Sequence, residues 1–343
     1  MTLRRTLRAI FHPKVILPVL LTAALLAVAL NLGDVGKVMG RVQAIPVWVM
    51  AVALAMAVAY LAIKCWQLHI LLRHIGLHPG WHRLVLAFSV GELTVTLPFG
   101  IFAQNWVLST TGRSKRSSFG RSSAATVAML LIETVVVLLF LAVIGIPHWP
   151  QLRTVAALFA FGLVLLAWLA LRFGHRLKHL HGRMRHPVLR KTFNQVIDLV
   201  NSLEKLYDVR LAAVNILAAA AYLGALAFAF MMVGYAMGVP HLNFLTAATI
   251  YAFSLAVVLM FGGLLSQIGT VEVVGMGAAH VWGISLTDGL ALMLGFRVVW
   301  TGAIWLVNLP LVFVLWRTLK RPKAQPAPEA ITVSAKDLKK ASD

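Results

Sequence analysis

The sequence has few charged residues, very few acidic ones and a single cysteine. Of its 343 residues, 12% are charged, 11 are acidic, and Cys65 is the only thiol. One cysteine excludes an internal disulfide and a cysteine-rich metal site. Soluble globular chains contain about 25% charged residues, so the composition also excludes an ordinary water-soluble protein.

The usual signatures of catalysis are missing as well. The sequence contains no HExxH, no Walker sequence and no DxD, and it shows no GxSxG in a plausible context. These motifs position zinc, nucleotide phosphates or a nucleophilic serine. The twelve histidines mostly lie in loops such as HLHGRMRH (179–186), where no acidic residue accompanies them. We therefore predict a protein that is not an enzyme and that has no metal site, no cofactor and no catalytic residue.

Hydrophobic sequence is abundant. Hydrophobic residues make up 60% of the chain, and the mean hydropathy is +0.85. A helix needs about 20 apolar residues to cross a bilayer, and several stretches approach or exceed that length, which identifies an integral membrane protein. The first stretch follows a basic head, is long for a signal-peptide core and lacks a cleavage site, so we expect an uncleaved span. The apolar stretches occupy approximately 15–32, 45–63, 84–111, 124–146, 152–171, 211–238, 243–283 and 286–316.

The net charge of +20 comes from basic residues that lie between the apolar stretches. Lysine and arginine concentrate on the cytoplasmic side of membrane proteins, and this rule would place every basic group in the cytoplasm. We therefore predict a multi-pass protein of a bacterial inner membrane with cytoplasmic N- and C-termini. A long basic cytoplasmic loop, 172–210, would attract anionic lipids, and no nucleic-acid partner is expected. The polar tail, 321–343, has the composition of a disordered segment.

Two apolar stretches must turn back on themselves if all basic groups face the cytoplasm. In 84–111, the arm 84–97 has 14 residues, about 21 Å of helix, and LPFG (97–100) breaks it. We expect a re-entrant hairpin here, because an apolar core is about 30 Å thick. Stretch 243–283 has its natural break at FGGLLSQIG (261–269), and it fits either a second hairpin or a double crossing.

The chain then repeats the order span, hairpin, span at 45–146 and at 211–316, with the second copy entering from the opposite side. Such an inverted-topology repeat is typical of transporters that bind their substrate between interrupted helices. The predicted fold is therefore all-α and polytopic. It has about 6 full spans and two hairpins, or about 8–10 membrane segments, in a single transmembrane domain, 1–320.

Away from the loops, only four ionisable residues are clearly intramembrane. They are Glu92, Glu133, Glu272 and Arg297, while Asp288 is placed at the interface. A charged side chain near the bilayer centre costs about 2.5–3.5 kcal/mol on insertion scales, so these groups should face protein or water. One interpretation is structural, with Glu272 hydrogen-bonded or neutral and paired to Arg297. The other is a polar substrate-binding cavity, to which the helix breaks would add the neutral groups Gln104, Asn105, Ser266 and Gln267.

The charged residues have matching places in the two halves. Glu92 and Glu272 fall in the two predicted hairpins, and Glu133 and Arg297 fall in the spans that follow them. A random scatter of tolerated charges would not produce this match, so it favours the cavity.

Two segments resemble the flippase-like transmembrane domain of the lysylphosphatidylglycerol synthase family. One is VGELTVTLPFG followed by a basic loop and AMLLIETVVVLL, with Glu133 where the family has a glutamate. The other is IGTVEVVGMGAAHVWGISLTDGLALMLGFRVVW, in which Glu272 precedes Arg297 by 25 residues. The resemblance covers about residues 10–320. The sequence departs from the family pattern at FAQNW (102–106) and LSQ (265–267), where G-E-x-x-R and P-G-G are common.

The resemblance implies a helical transporter that moves a lipid across the membrane. It suggests an aminoacylated or anionic phospholipid, a hopanoid or a polyprenyl-linked lipid as cargo, and a lipid-synthesis enzyme as a further partner. No synthetase domain is recognisable, so we expect that the chain does not aminoacylate lipids itself. Two alternatives stay open: a membrane enzyme that uses a lipid-linked donor, such as a polyprenyl-phosphate glycosyltransferase, and an accessory scaffold of a lipid-synthesis complex.

Overall fold

The computed structural model describes residues 35–97, 100–110, 119–145, 149–181, 187–260 and 267–320. Within these residues the chain is helical apart from short turns, which confirms the all-α prediction. The α-helices in chain order are α1 Val35–Gln43, α2 Val47–His74, α3 Trp81–Thr94, α4 Ala103–Thr110, α5 Phe119–Ile144, α6 Gln151–His181, α7 Pro187–Lys205, α8 Val209–Ala236, α9 Phe244–Met260, α10 Gln267–Val281 and α11 Leu286–Lys320.

Five helices in the described part of the chain are long and apolar enough to cross a membrane. They are α2, α5, the Gln151–Leu169 part of α6, α8 and the Leu286–Arg317 part of α11. The protein is therefore a multi-pass membrane protein, as its composition predicts. The predicted first span, 15–32, and the predicted tail, 321–343, lie outside the described residues.

Helix α2 is longer than the hydropathy pattern suggests. The predicted stretch ends at residue 63, whereas the helix continues through Lys64 to His74. Lys64 is buried, with only 3% of its surface exposed. The prediction of only four ionisable groups in the interior is therefore wrong, because a lysine at the end of an apolar run has the same sequence pattern as a flanking residue.

The segment predicted as a basic loop, 172–210, is largely helical. Helix α6 continues to His181, and α7 follows at Pro187–Lys205. Helix α7 packs against α5, where the Gln195 side-chain oxygen accepts a hydrogen bond of 2.6 Å from the Gly120 backbone N–H. This bond satisfies one of the free N–H groups at the start of α5, so the segment is part of the helical assembly.

Two pairs of short helices occupy the positions of the predicted hairpins. Helices α3 and α4 have 14 and 8 residues, which is about 21 Å and about 12 Å of helix, so neither spans an apolar core of about 30 Å. They pack closely because Gly91 has no side chain: a Cβ there would lie 3.1 Å from the Gln104 Cβ. Helices α9 and α10 have 17 and 15 residues. Residues 261–266 of the predicted break between them lie outside the described residues.

The two predicted halves of the chain pack through matching pairs of helices. Helix α2 packs against α8, α3 against α11, and α5 against α9. At the contact between α2 and α8, the rings of Tyr60 and Tyr222 meet edge to face with their centroids 5.4 Å apart. Each tyrosine stands thirteen residues after the first residue of a 28-residue helix. The two tyrosines therefore occupy the same position along their helices and meet inside the bundle.

Basic residues occur at both ends of the helical bundle. At the end where α2 finishes, Arg121 donates a hydrogen bond of 2.9 Å to the backbone carbonyl just after α2. At the opposite end, Arg41 forms an ion pair of 2.7 Å with Asp288, and Arg153 donates to the Ile144 carbonyl at 2.8 Å. The prediction that every basic group lies on one side is therefore wrong. The two arginines at this end have an acidic partner or a helix C-terminal carbonyl that offsets their charge.

Candidate functional site

A cavity of about 100 Å³ lies inside the bundle, where α2, α3, α5, α8, α9 and α11 come together. Its polar wall includes Tyr60, Lys64, Glu92, Glu133 and Arg297. Charged groups inside an apolar bundle mark functional sites by default, so this cavity is the candidate site. The rest of the wall is mainly apolar and aromatic, with Leu130, Leu223, Leu226, Tyr251, Phe296 and Trp300 among its side chains.

Lys64 of α2 lies between two carboxylates from different helices. Its Nζ is 3.6 Å from Oε1 of Glu92 on α3 and 3.8 Å from Oε2 of Glu133 on α5. The ammonium also donates a hydrogen bond of 2.7 Å to the Tyr60 hydroxyl, which in turn donates to Glu92 Oε2 at 3.4 Å. The three charged side chains are at most 6% exposed. We refer to Lys64, Glu92 and Glu133 as the lysine cluster.

The lysine cluster contains more negative than positive charge. One ammonium faces two carboxylates, so the three groups sum to −1 when all are ionised. Within the described residues, Glu133 Oε2 and the Tyr222 hydroxyl are buried without a hydrogen-bond partner. Buried polar atoms are nearly always hydrogen-bonded, and an exception requires a specific explanation. Hydrogen bonds among the described residues therefore satisfy this side of the cavity incompletely.

The second charged site is the pair formed by Glu272 on α10 and Arg297 on α11. The Arg297 Nε donates to Glu272 Oε1 at 2.6 Å. The other carboxylate oxygen, Oε2, accepts a hydrogen bond of 2.7 Å from the Gly269 backbone N–H. The Glu272 side chain is 2% exposed and the Arg297 side chain 23%. Arg297 lines the cavity, whereas Glu272 lies behind it and is not among the lining side chains.

Glu272 stabilises the start of α10 as well as binding Arg297. The first N–H groups of a helix have no partner within the helix, and a glutamate three residues further on can accept a bond from one of them. Gly269 has a φ of +84°, which glycine adopts without the steric cost of a side chain. The isolated carboxylate in this glycine-rich segment thus has two structural bonds, one to a guanidinium and one to the helix start.

The predicted neutral groups are not at the cavity wall where the structure describes them. Gln104 Nε2 donates to Thr126 Oγ1 at 2.8 Å, and that hydroxyl donates to Asn105 Oδ1 at 3.0 Å. These buried bonds join α4 to α5. Ser266 lies outside the described residues, and Gln267 begins α10 with a side chain that the structure does not describe.

The structure brings three of the predicted residues, Glu92, Glu133 and Arg297, to the cavity wall. Sequence reasoning missed Lys64 and Tyr60. A signal for them was present, because Lys64 follows Tyr60 by four residues, and residues at this spacing share one face of a helix. Recognising it required knowing that α2 continues beyond residue 63.

The lysine cluster is poorly suited to a metal ion. Across the described ranges, no three histidine, cysteine or acidic side chains are grouped as metal ligands. The Lys64 ammonium lies within 3.8 Å of both carboxylates and would repel a divalent cation at such distances. The cavity offers charge and hydrogen bonds to an organic or phosphate-bearing group instead.

Comparison with known proteins assigns the chain to a family. The family described as the lysylphosphatidylglycerol synthase TM region matches residues 15–308. This range contains the lysine cluster and the pair of Glu272 and Arg297. No curated protein matches the chain. Because the match covers well over half of the sequence, the chain belongs to the lysylphosphatidylglycerol synthase transmembrane-region family.

Proposed function

We propose that the protein is a lipid transporter of the flippase type, which moves a lipid headgroup across the membrane through the charged cavity. The main support is the cavity itself, where an ammonium, a guanidinium and two carboxylates line a space inside an apolar helical bundle. Ionisable groups within membrane segments are characteristic of substrate and ion pathways. The name of the family refers to the synthesis of a lipid, which makes a lipid headgroup the natural cargo.

An apolar pocket beside the charged cavity favours a lipid over a water-soluble substrate. The pocket has a volume of about 280 Å³ and lies among α5, α8 and α9. Leu223, Tyr251 and Leu255 line both spaces, so the pocket adjoins the cavity. A lipid joins a polar headgroup to apolar chains. In this proposal the headgroup enters the cavity while a chain lies along the apolar pocket and stays in the bilayer.

The proposed cargo has a charged or polar headgroup, as in an aminoacylated or anionic phospholipid, a hopanoid or a polyprenyl-linked lipid. A guanidinium is well suited to phosphate oxygens, so Arg297 would contact a phosphate. The carboxylates of Glu92 and Glu133 would contact an amine or hydroxyl groups. A lipid-synthesis enzyme as a supplier of this cargo is part of the same proposal.

The proposal assigns no chemical step to the protein. A general base must reach the proton that it removes, whereas Glu272 is already bonded to Arg297 and to the Gly269 N–H. Glu92 and Glu133 share the Lys64 ammonium. These carboxylates therefore bind and orient in our proposal, and they do not catalyse.

The two halves of the chain would act as the moving parts. The packing of α2 with α8, of α3 with α11 and of α5 with α9 is the pattern expected of an inverted repeat. We include in the proposal that α3–α4 and α9–α10 are re-entrant hairpins. Movement of one half against the other would then open the cavity to each side of the membrane in turn.

Reconstitution into proteoliposomes tests the transport proposal. The vesicles contain phosphatidylglycerol or lysylphosphatidylglycerol with a fluorescent acyl chain, and an impermeant reductant destroys the fluorescence of the outer leaflet. We expect wild-type protein to bring at least one of the two labelled lipids from the inner to the outer leaflet, where the reductant destroys its fluorescence. Arg297→Gln should slow this loss of fluorescence. Arg210→Gln is the matched control, because Arg210 is exposed at the start of α8. Full protection of both lipids in the presence of folded wild-type protein would overturn the proposal.

The proposed orientation places both termini in the cytoplasm of a bacterial cell. In a Cys65→Ser background, His78→Cys and Gln151→Cys put single exposed thiols at opposite ends of the bundle. We expect an impermeant maleimide added outside the cell to label Gln151→Cys and to leave His78→Cys unlabelled. Cysteines at the predicted cytoplasmic positions Lys115, Arg185 and Gln325, which lie outside the described residues, should behave like His78→Cys. External labelling at position 115 would contradict the hairpin α3–α4.

A further inference from the structure

The lysine cluster carries one carboxylate more than its own cation can balance. Lys64, Glu92 and Glu133 are 3%, 5% and 5% exposed, so bulk water screens the excess charge only weakly. The ammonium is 3.6 Å from Glu92 and 3.8 Å from Glu133, and both carboxylates therefore depend on the same partner. Two carboxylates that share a site do not both ionise readily.

The groups around the cluster supply no second free cation within the described residues. The nearby guanidinium, Arg297 on α11, is held by Glu272 on α10 at 2.6 Å. The other helices present phenols and a thiol, none of which carries positive charge. The titratable groups around the cluster are Tyr60 and Cys65 on α2, Tyr222 on α8, Tyr251 on α9 and Arg297 on α11, with Glu272 on α10 behind Arg297.

Two buried polar atoms lie on the Glu133 side of the cluster. Glu133 Oε2 and the Tyr222 hydroxyl are buried, and among the described residues neither has a hydrogen-bond partner. Tyr222 has none of its surface exposed, and the Lys64 Nζ lies 5.4 Å from its ring centroid. The Tyr222 phenol interacts with the Glu133 carboxyl group, and the Lys64 ammonium lies 3.8 Å from Glu133 Oε2, beyond hydrogen-bond distance.

The geometry points to a bound proton: we propose that the carboxylate pair Glu92 and Glu133 binds one exchangeable proton at neutral pH. The proton comes from water in the cavity and bonds to a carboxylate oxygen, so one carboxylate becomes a carboxylic acid. The cluster then contains one ammonium, one carboxylate and one neutral acid, and its net charge changes from −1 to zero. On release, the O–H bond breaks and the proton returns to water.

A proton fits this site better than a metal cation does. A metal ion needs several oxygen ligands around it, and the Lys64 ammonium already occupies the space near both carboxylates. A proton needs only one oxygen and adds a hydrogen-bond donor. This site goes beyond the proposed transport of lipids and does not depend on it. In a transporter, however, a proton at the cavity wall would make headgroup binding dependent on pH.

Infrared spectroscopy of the purified full-length protein in detergent tests the proposal without any lipid substrate. A protonated carboxyl group absorbs at a higher frequency than a carboxylate, and exchange into heavy water shifts this band. We expect wild-type protein to show the band of one buried protonated carboxyl at neutral pH, and to lose it on titration to alkaline pH. Exposed acidic groups do not contribute, because they are ionised at neutral pH, with pKa values of about 4. Absence of the band in folded wild-type protein would overturn the proposal.

Four variants assign the band to the cluster. Glu133→Gln and Glu92→Gln should each remove it, because either change leaves one carboxylate for one ammonium. Lys64→Met should add a second protonated carboxyl, because no cation then remains to stabilise a carboxylate. Glu204→Gln, at an exposed position near the end of α7, is the matched control and should retain the band. Persistence of the band in both Glu133→Gln and Glu92→Gln would overturn the assignment, and circular dichroism checks that each variant is folded.

Discussion

The two halves of the molecule hold their intramembrane charges in different ways. In the first half, Lys64, Glu92 and Glu133 come from α2, α3 and α5, and they line the cavity with an excess of one carboxylate. In the second half, Glu272 and Arg297 form a balanced pair whose carboxylate is also bonded to the start of α10. The first site can change its charge by gaining or losing a proton, whereas the second has a fixed structural arrangement.

The same comparison can be made between the two long helices α2 and α8. Tyr60 and Tyr222 stand at the same place in α2 and α8 and contact each other. Four residues further on, α2 has Lys64 and α8 has Leu226, and both side chains line the cavity. The two long helices therefore match in length and crossing point, while the cation is present in only one of them. Matching backbones do not require matching charges.

The largest loss of stability should come from breaking the pair of Glu272 and Arg297 in the second half. Removing one member of a buried ion pair costs about 3–5 kcal/mol, and Glu272→Gln leaves a guanidinium that cannot lose its charge. Arg297→Gln should be milder, because the remaining carboxyl group can take up a proton. The free energy of unfolding in detergent measures both effects.

The double variant Glu272→Gln/Arg297→Gln is the control for this pair. It should be no less stable, and no slower in lipid translocation, than the more damaged single variant, because it leaves no charge unpaired. If Glu272→Gln is as stable as wild type and translocates lipid at the same rate, the carboxylate has neither of the roles that we assign to it.

A smaller loss of stability is expected when Lys64, the cation of the first half, is replaced. Lys64→Met leaves two carboxyl groups without their ammonium and leaves the Tyr60 hydroxyl without a donor. Both carboxyl groups can become neutral by binding protons, so we expect a cost of about 1–3 kcal/mol, comparable to leaving buried polar groups unsatisfied. Thermal unfolding of Lys64→Met and Glu272→Gln, measured side by side, gives the difference between the two losses of stability. A cost larger than that of Glu272→Gln would contradict the distinction between an adjustable site and a fixed one.

Replacing Glu133 should affect lipid transport more than it affects stability. Glu133→Gln leaves the one-to-one pair of Lys64 and Glu92 and removes only the excess charge, so the free energy of unfolding should change by less than about 1 kcal/mol. Lipid translocation should nevertheless fall, because a charged group of the cavity wall is lost. Measuring both quantities on the same preparation tests this. A variant that is strongly destabilised would show that Glu133 is structural.

The smallest effect is expected from Tyr222→Phe. The Tyr222 hydroxyl interacts with the Glu133 carboxyl group but forms no hydrogen bond of normal geometry among the described residues, so its removal should change stability by less than about 0.5 kcal/mol. Tyr60→Phe is the matched comparison. Its hydroxyl accepts from Lys64 and donates to Glu92, and its loss should cost about 1–2 kcal/mol. Equal costs for the two variants would mean that the Tyr222 hydroxyl has a partner in the folded protein.

The sequence was most informative where a single physical rule governs the outcome. Long apolar stretches predict helices because the backbone must satisfy its hydrogen bonds within the membrane, and α2, α5, α8 and α11 confirm this. The break at LPFG was predictable for the same kind of reason, since proline and glycine interrupt helices. The end of α2 was not predictable, because hydropathy treats Lys64 as polar whether it faces water or two buried carboxylates.

By itself, the sequence determined that the chain is a helical membrane protein, that its apolar stretches are interrupted near the middle of each half, and that few charges lie within them. These features depend on local composition and on the cost of exposing polar groups to lipid. Only the tertiary structure decided which charges meet. Lys64 reaches Glu92 and Glu133 across three helices, and Glu272 reaches both Arg297 and the Gly269 N–H. Electrostatic interactions depend on distance and burial, and the linear sequence contains neither of these.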